Sequence, residues 1–167
     1  PEYPEQLPDV SYGPAGGAGS RGFYWTTPTP GAANGGPRYS GLVEEVKFSR
    51  KRGYCTAPFY LTLTSATPGA RIVFTTDGSP PSLLGGRAYA GPIPITGTTL
   101  IRAAAVMGNG LPSRVKSHSY RFPNDIRHQS AMSRLVVEDP AYAPAIADEI
   151  TRLPVLSLGL RDSDFFG

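Results

Sequence analysis

Residues 71–81, Arg-Ile-Val-Phe-Thr-Thr-Asp-Gly-Ser-Pro-Pro, decide the fold of this chain. The first six residues are mostly β-branched or aromatic, a composition typical of strands. Asp77-Gly78 then gives a strong turn signal, and Pro80 and Pro81 prevent the strand from continuing because proline lacks the N–H that a ladder needs. The stretch therefore predicts a strand that ends at a hairpin-like corner of an all-β domain.

Short strand patterns recur on both sides of this corner. Hydrophobic and polar side chains alternate over residues 59–64, which is the period of a half-buried strand. Residues 93–95, with proline at the centre, are typical of an edge strand. Residues 101–106 turn through a glycine-rich segment into residues 115–122. Roughly seven such strands predict an antiparallel β-sandwich.

The last predicted strand has an ambiguous register. Val115 and Tyr120 would lie on opposite faces of a regular strand. The sequence therefore leaves the register of residues 115–122 open, with a β-bulge between these two residues as one solution.

The residues before the sandwich are predicted to be mostly irregular because prolines and glycines interrupt them. Phe23–Thr27 is the exception, an aromatic and β-branched strand candidate. A lone strand needs a sheet to join, so we expect it to pack either against a part of the protein outside this sequence or against the next domain. The glycine-rich residues 16–22 lack the Gly-Lys-Ser/Thr ending of a phosphate-binding loop and are interpreted as a turn-rich loop.

After Pro123 the pattern changes to a linker, a helix and a strand. The spacing predicts a helix over Tyr142–Arg152, with Pro144 in its first turn and an ion pair between Asp148 and Arg152. Residues 155–158 are then predicted to form a buried strand. Because the chain ends on two phenylalanines, we expect it to continue into a further domain.

The composition excludes several classes of site. Cys55 is the only cysteine, so no intrachain disulfide is possible, and with two histidines a Cys/His zinc site is not expected. No apolar run approaches the roughly 20 residues that span a bilayer. No cofactor and no membrane span are predicted.

Positive charge is concentrated in the middle of the chain. Between residues 45 and 122 there are ten basic residues and two acidic ones, and both flanking parts have an excess of acidic residues. Arg50, Lys51 and Arg52 are consecutive. Such a domain is suited to binding an anionic polymer such as an acidic polysaccharide, with salt-sensitive affinity. The alternatives are that the acidic flanks neutralise these charges or that solvent does.

Aromatic side chains offer a second binding hypothesis. Tyr24 and Trp25 could stack on sugar rings, as could Tyr60 and Tyr89 if exposed. For the pair in the strand candidate, packing on a neighbouring domain is the favoured alternative. Nucleic acid is not expected as a partner because no aromatic residues alternate with Arg50–Arg52.

The candidates for catalysis are weak. Asp77 could be an acid catalyst or metal ligand, but Glu45 is its only carboxylate partner in the sandwich, so Asp77 and Gly78 are interpreted as a structural turn. Ser157 lacks the Gly-x-Ser-x-Gly elbow of a nucleophile, so it is not expected to form a triad with His118 or His128. Cys55 is expected to be packed, despite the basic residues that could lower its pKa.

The central strands resemble a known family. Residues 48–120, and above all Thr75-Thr-Asp-Gly-Ser-Pro-Pro81, are similar to the chitobiase/β-hexosaminidase C-terminal-type domain, an immunoglobulin-like β-sandwich of bacterial secreted and surface proteins. The resemblance implies a sandwich without catalytic residues. Residues 11–13 and 27–34 resemble the end of a lamin-tail-type domain. Residues 153–158 and 164–167 resemble the beginning of a CotH-type kinase-like domain.

These observations combine into one expectation. The chain comprises the end of a lamin-tail-like domain (1–41), an immunoglobulin-like antiparallel sandwich (42–122) and a linker, helix and first strand of a CotH-type domain (123–167). We expect a non-catalytic module that spaces domains in a secreted or surface bacterial protein, with weak glycan or anionic-polymer adhesion through the aromatic and basic residues above. Its partners would be neighbouring domains and surface polysaccharide. The alternative is a scaffold of a CotH-type kinase-like enzyme with catalytic residues beyond Gly167.

Overall fold

Strands form most of the regular structure in the computed structural model, which describes residues 4–15 and 21–156. In chain order they are β1 (Ser11–Pro14), β2 (Gly22–Trp25), β3 (Arg38–Tyr39), β4 (Gly41–Leu42), β5 (Lys47–Phe48), β6 (Gly53–Tyr54), β7 (Phe59–Leu61), β8 (Leu63–Thr64), β9 (Arg71–Thr75), β10 (Arg87–Ala88), β11 (Ile93–Ile95), β12 (Thr99–Val106), β13 (Gly110–Leu111) and β14 (Lys116–Arg121). The helices in this part of the chain are α1 (Pro123–Arg127), α2 (Arg134–Glu138) and α3 (Ile146–Arg152).

One layer of the sandwich is a five-stranded sheet with the order β10-β9-β12-β14-β6. The predicted corner lies in it: β9 ends at the turn and returns as β10, so that Arg87 lies opposite Phe74. The pairs β10–β9, β9–β12 and β12–β14 are antiparallel, whereas β6 pairs in parallel with β14 at the edge. The predicted all-β, immunoglobulin-like fold is confirmed.

The facing layer is built around β7 and β8, which are separated only by Thr62. β7 pairs with β11 on one side and β8 pairs with β5 on the other. Pro94 lies opposite Tyr60 in the β11–β7 ladder, and the structure shows β11 paired with β7 alone. The edge position that the proline predicts is therefore observed.

The core lies between the two layers and consists of apolar side chains together with the ring of Tyr120. The alternation predicted for residues 59–64 is observed, since Leu61 and Leu63 are buried whereas Tyr60 is 73% exposed. The cluster comprises Val43, Val46, Cys55, Leu61, Leu63, Ile72, Phe74, Ile95, Ile101, Ala103, Ala105, Tyr120 and Phe122. The small alanines of β12 allow the facing aromatic rings to approach the sheet.

The structure settles the register of the last strand, which contains no bulge within β14. Lys116 to Tyr120 pair one to one with Ala103 to Thr99. Val115 precedes the strand and is 41% exposed, whereas Tyr120 is fully buried. Val115 and Tyr120 therefore need not lie on the same face, because Val115 is not part of the paired strand.

The segment before residue 42 is more regular than predicted. β1, β2 and β3 form a three-stranded antiparallel sheet in which β2 is central. The strand candidate Phe23–Thr27 is observed as Gly22–Trp25, and both of its partners come from the same segment. The expectation that it needs a neighbouring domain to pair with is therefore wrong. Residues 16–20 of the glycine-rich stretch lie outside the described residues.

The segment after Phe122 also departs from the prediction. The expected linker contains α1 and α2, and the predicted helix begins at Ile146 instead of Tyr142, so Pro144 precedes it. Arg152 pairs with Glu149 at 2.7 Å and not with Asp148, because the i,i+3 carboxylate is within reach. Val155 and Leu156 are not in a strand, and the remainder of the predicted strand lies outside the described residues.

Candidate functional site

The basic residues Arg50, Lys51 and Arg52 form an exposed loop between β5 and β6. The loop is tied to the core because the hydroxyl of Tyr120 donates a hydrogen bond of 2.9 Å to the carbonyl of Arg50. The guanidinium carbon of Arg50 lies 4.2 Å from the centroid of the Phe59 ring, a cation–π contact that holds the side chain against the sandwich. The loop therefore presents its charges from a fixed backbone.

The titratable groups beneath this loop are shifted toward their neutral forms. His118 stacks on Phe48 at 4.1 Å, and its Nδ1 lies 3.2 Å from the carbonyl oxygen of Arg50. Burial lowers the pKa of His118, opposed by the contact with Arg50 and assisted by the charges of Lys116 and Arg52. Burial also raises the pKa of Tyr120 to about 12. The positive charge of this face at neutral pH therefore comes from its lysines and arginines.

The two remaining ring candidates on the sandwich are far from equivalent. Tyr60 points outward from β7 and is 73% exposed. Tyr89 is half-buried, packs against the core, and donates its backbone N–H to the carbonyl of Ile72 at 2.9 Å. The first belongs to the facing layer and the second follows β10 of the five-stranded sheet. The structure does not bring them into one binding platform.

Tyr24 and Trp25 are buried, with 5% and 4% exposure. The hydroxyl of Tyr24 donates to the carbonyl of Glu5 at 3.0 Å, and Nε1 of Trp25 donates to the carbonyl of Gly13 at 3.4 Å. Burial, with the neighbouring Tyr12 and Glu5, raises the pKa of Tyr24. Because these rings pack within their own segment, the hypothesis that they contact glycan does not hold in this structure.

Asp77 and Gly78 form a turn in which the carboxylate is used locally. Oδ1 of Asp77 accepts hydrogen bonds from the hydroxyl of Ser79 at 2.6 Å and from its backbone N–H at 3.0 Å. These bonds lower the pKa of Asp77. Gly78 has φ +82°, which is favourable for glycine, and its carbonyl accepts from the guanidinium of Arg102. This geometry is that of a structural turn.

The residues weighed for nucleophilic chemistry are scattered. Cys55 is 1% exposed in the core, whereas His128 ends α1, with its Nδ1 2.6 Å from the carbonyl oxygen of Asn124. Ser157 lies outside the described residues. Within residues 4–15 and 21–156, no three His, Cys, Asp or Glu side chains are grouped so as to hold a metal ion. No helix in the described part of the chain is long and apolar enough to cross a membrane.

Two grooves on the outer face of the five-stranded sheet were missed by the sequence reasoning. The larger, of about 880 Å³, is mainly apolar and includes Leu83, Leu84 and Val106. The smaller, of about 420 Å³, is lined by Arg52, Leu100, Ser117, Ser119, Arg121, Val155 and Leu156. The sequence carries one signal for the smaller groove. Side chains alternate between the two faces along β14, which places Ser117, Ser119 and Arg121 on the side opposite Tyr120.

Comparison with known proteins supports the family resemblance for the centre of the chain. No curated protein and no solved structure matches the chain. The matched family domain is a non-catalytic immunoglobulin-like module, and its family is typical of secreted glycosidases. Residues 51–117, which extend from the basic loop to the middle of β14, match the family model of the chitobiase/β-hexosaminidase C-terminal domain.

Proposed function

We propose that this chain is a non-catalytic accessory module that fixes the spacing of neighbouring segments in a secreted or surface bacterial protein and adheres weakly to an anionic polysaccharide. The family match supports the accessory character, because the matched domain is an appended module of hexosaminidases. The observation that carries the spacing role is the set of hydrogen bonds that join both flanking segments to the sandwich.

The preceding segment is joined at β4. Gly41 and Leu42 pair in parallel with Gly110 and Leu111 of β13. Both the backbone N–H and the hydroxyl of Ser40 donate to the carbonyl of Asn109, at 2.8 Å and 3.1 Å. These bonds connect the residues that follow β3 to the loop after β12, so the three-stranded sheet is attached close to its last strand.

The following segment is joined at two points. The backbone N–H of Thr98 donates to Oδ2 of Asp125 in α1 at 2.5 Å, while the Thr98 hydroxyl accepts from the N–H of Phe122 at 2.9 Å. Further along the chain, the hydroxyl of Tyr54 donates to the carbonyl of Ile150 in α3 at 2.9 Å. Helices of this length need such tertiary contacts to hold their position.

A distance measurement tests the spacing role. Spin labels on cysteines introduced at Ala32 and Asp148, both exposed, report the separation of the two flanking segments, and buried Cys55 stays unlabelled in the folded protein. We expect one narrow distance distribution. Tyr54→Phe should broaden it, and Tyr60→Phe, which removes an exposed hydroxyl, should not. A broad distribution in the unmodified background would contradict the spacing role.

The adhesion part of the proposal is supported by the charges of the sandwich. Among the described residues the ion pairs are Lys116–Glu45 at 3.8 Å and Arg152–Glu149, so no acidic side chain of the described flanks pairs with a basic residue of the sandwich. Affinity electrophoresis at low salt tests it. Acidic polysaccharide should retard the protein, neutral polysaccharide should not, and added salt should abolish the retardation because it screens exposed charges. Equal mobility in every gel would remove the adhesion role.

The identity of the neighbouring domains is a separate proposal that depends on sequence resemblance. We propose a lamin-tail-type domain before the sandwich and a CotH-type kinase-like domain after it, with this chain as their scaffold. A coding sequence that lacks a kinase-like ATP site with acidic metal ligands beyond Gly167 would exclude the CotH-type neighbour.

A further inference from the structure

The smaller groove on the outer face of the five-stranded sheet places two arginines from different elements beside each other. Arg121 belongs to β14, and Arg52 precedes β6, which pairs with β14 at the edge of the sheet. Both line the groove of about 420 Å³, together with Ser117 and Ser119. We call it the Arg52–Arg121 groove.

Arg121 is held in place on this face. Its guanidinium carbon lies 5.2 Å from the centroid of the Tyr54 ring, and that ring is fixed by the hydrogen bond to the carbonyl of Ile150 at 2.9 Å. Nε of Arg121 is buried and has no hydrogen-bond partner in the described part of the chain. A buried donor without an acceptor is costly, and guanidinium N–H groups are best satisfied by an oxyanion.

Among the described residues that line it, the groove has positive charge without a matching carboxylate. Neither Arg52 nor Arg121 forms an ion pair within residues 4–15 and 21–156. Leu100, Val155 and Leu156 form its apolar walls. Apolar walls lower the local dielectric constant, so two guanidinium groups attract an anion more strongly here than they would on an open surface.

We propose that the Arg52–Arg121 groove binds a single oxyanion carried on a polysaccharide, that is, a sulfate, phosphate or carboxylate substituent of a sugar. The proposal builds on the adhesion role and gives it a defined site. The Ser117 hydroxyl supplies a neutral donor beside the two cations, and the apolar walls offer a surface for the C–H groups of the sugar ring. None of the lining residues in the described part of the chain is aromatic, so these residues offer no ring for stacking a nucleic acid base.

An NMR titration tests the site directly. The Nε–Hε signals of the arginines are followed in the isotope-labelled chain during addition of sodium sulfate, sodium phosphate or sodium glucuronate, with sodium chloride at equal ionic strength as the reference. We expect saturable shifts for Arg121 and Arg52 and none for Arg87, which lies at the opposite edge of the same sheet. The anion that binds most tightly identifies the sugar substituent that the groove prefers. Equal shifts of all arginines would overturn the site.

Three variants distinguish the groove from a diffuse patch. Arg52→Gln removes an exposed charge, and Arg121→Lys keeps the charge but loses the planar fork that binds an oxyanion through two bonds. Each should weaken binding of the preferred anion and of a polymer bearing it by about tenfold, whereas the control Arg87→Gln should leave both unchanged. If all three variants bind the polymer like the unmodified chain, the proposal that this groove is the binding site is wrong, while the adhesion role stands.

Two further measurements complete the test. The chain carries its own carboxylates at Asp162 and Asp164, so the titration is repeated on the double variant Asp162→Asn/Asp164→Asn. Binding that appears or strengthens in this variant supports the groove, and its absence in both proteins overturns it.

Single-stranded DNA that competes as strongly as the acidic polysaccharide would overturn the assignment to a polysaccharide.

Discussion

The two faces of the five-stranded sheet come from the same strands but have opposite character. On β12, Ile101, Ala103 and Ala105 point inward and are fully buried. In the alternate positions, Leu100 and Arg102 point outward, and Leu100 lines the Arg52–Arg121 groove. The inner face contributes to the main apolar core, whereas the outer face combines a small buried cluster of Val73, Ala104 and Val106 with charged residues. Most of the buried apolar surface therefore lies on one side of the sheet and the charged groove on the other.

Truncating an inner residue should give the largest effect on stability. Ile101 of β12 is fully buried, so Ile101→Ala should lower the free energy of unfolding by about 2–5 kcal/mol through lost burial and a residual cavity. Leu84, in the large outer groove, is fully exposed, and Leu84→Ala should change it by no more than about 0.5 kcal/mol. Urea unfolding measures both. Similar losses in the two variants would contradict the division between faces.

The turn after β9 should give the next largest effect. Gly78 has φ +82°, so Gly78→Ala forces an L-residue into the left-handed region and should cost about 1–2 kcal/mol. Gly108 lies in the next hairpin without positive φ and with open space around its Cα. Gly108→Ala is therefore the control and should cost less, as measured by thermal unfolding. Equal costs would mean that the backbone conformation of Gly78 is unimportant.

Removing the hydroxyl of Tyr120 breaks the link between the core and the basic loop. Tyr120→Phe loses the hydrogen bond to Arg50 and should cost about 0.5–1.5 kcal/mol at neutral pH. Urea unfolding at neutral pH, with Tyr60→Phe as the exposed control, measures this cost. No loss relative to the control would mean that the loop is not anchored by this bond.

The pH dependence of the same pair is a separate test. The pKa of Tyr120 is raised to about 12 in the folded chain, against about 10 in the unfolded chain. The contribution of Tyr120 to the free energy of unfolding is therefore complete below a pH of about 10 and is lost as the pH rises toward 12. Over that window the unmodified protein should lose stability more steeply than Tyr120→Phe. Parallel curves would contradict the raised pKa.

The smallest effect is expected at His118 under acidic conditions. Burial lowers its pKa in the folded chain, so its contribution is present above the unfolded value of about 6.5 and is lost as the pH falls through the lowered folded value. On acidification the unmodified protein should lose more stability than His118→Gln. His128→Gln, at an exposed position, should behave like the unmodified protein. A loss in His118→Gln as large as that of the unmodified protein would show that His118 protonates freely.

Much of the sandwich could be predicted because its strands and turns are specified by residues that are close in sequence. The alternation of residues 59–64 and the turn at Asp77-Gly78 depend on residues that are adjacent in sequence, and both are observed. The register of residues 115–122 could not be predicted because the start of β14 depends on its pairing with β12, which lies a hairpin away. Local pattern shows that a strand exists more reliably than where it begins.

The candidate site could be predicted only in part. Tyr60 is exposed and Arg50–Arg52 form an exposed loop, in agreement with the alternation and the charge of the sequence. Tyr24 and Trp25 have an equally favourable composition but are buried, and their ring contacts and hydrogen bonds are to residues that precede β2: Tyr24 contacts Tyr12 and Glu5, and Trp25 contacts Gly13. Exposure of an aromatic ring depends on what packs over it, and this information is not local.

By itself, the sequence determined the all-β class, the corner at residues 77–81, the inward set of the central strands and the excess of positive charge in the middle of the chain. These follow from short-range sterics, alternation and composition. Only the tertiary structure decided which side chains meet: Arg52 and Arg121 lie far apart in the chain and become neighbours because β6 pairs with β14. Strand pairing is set by the burial of a shared core, and a groove formed between paired strands therefore has no signature in either strand alone.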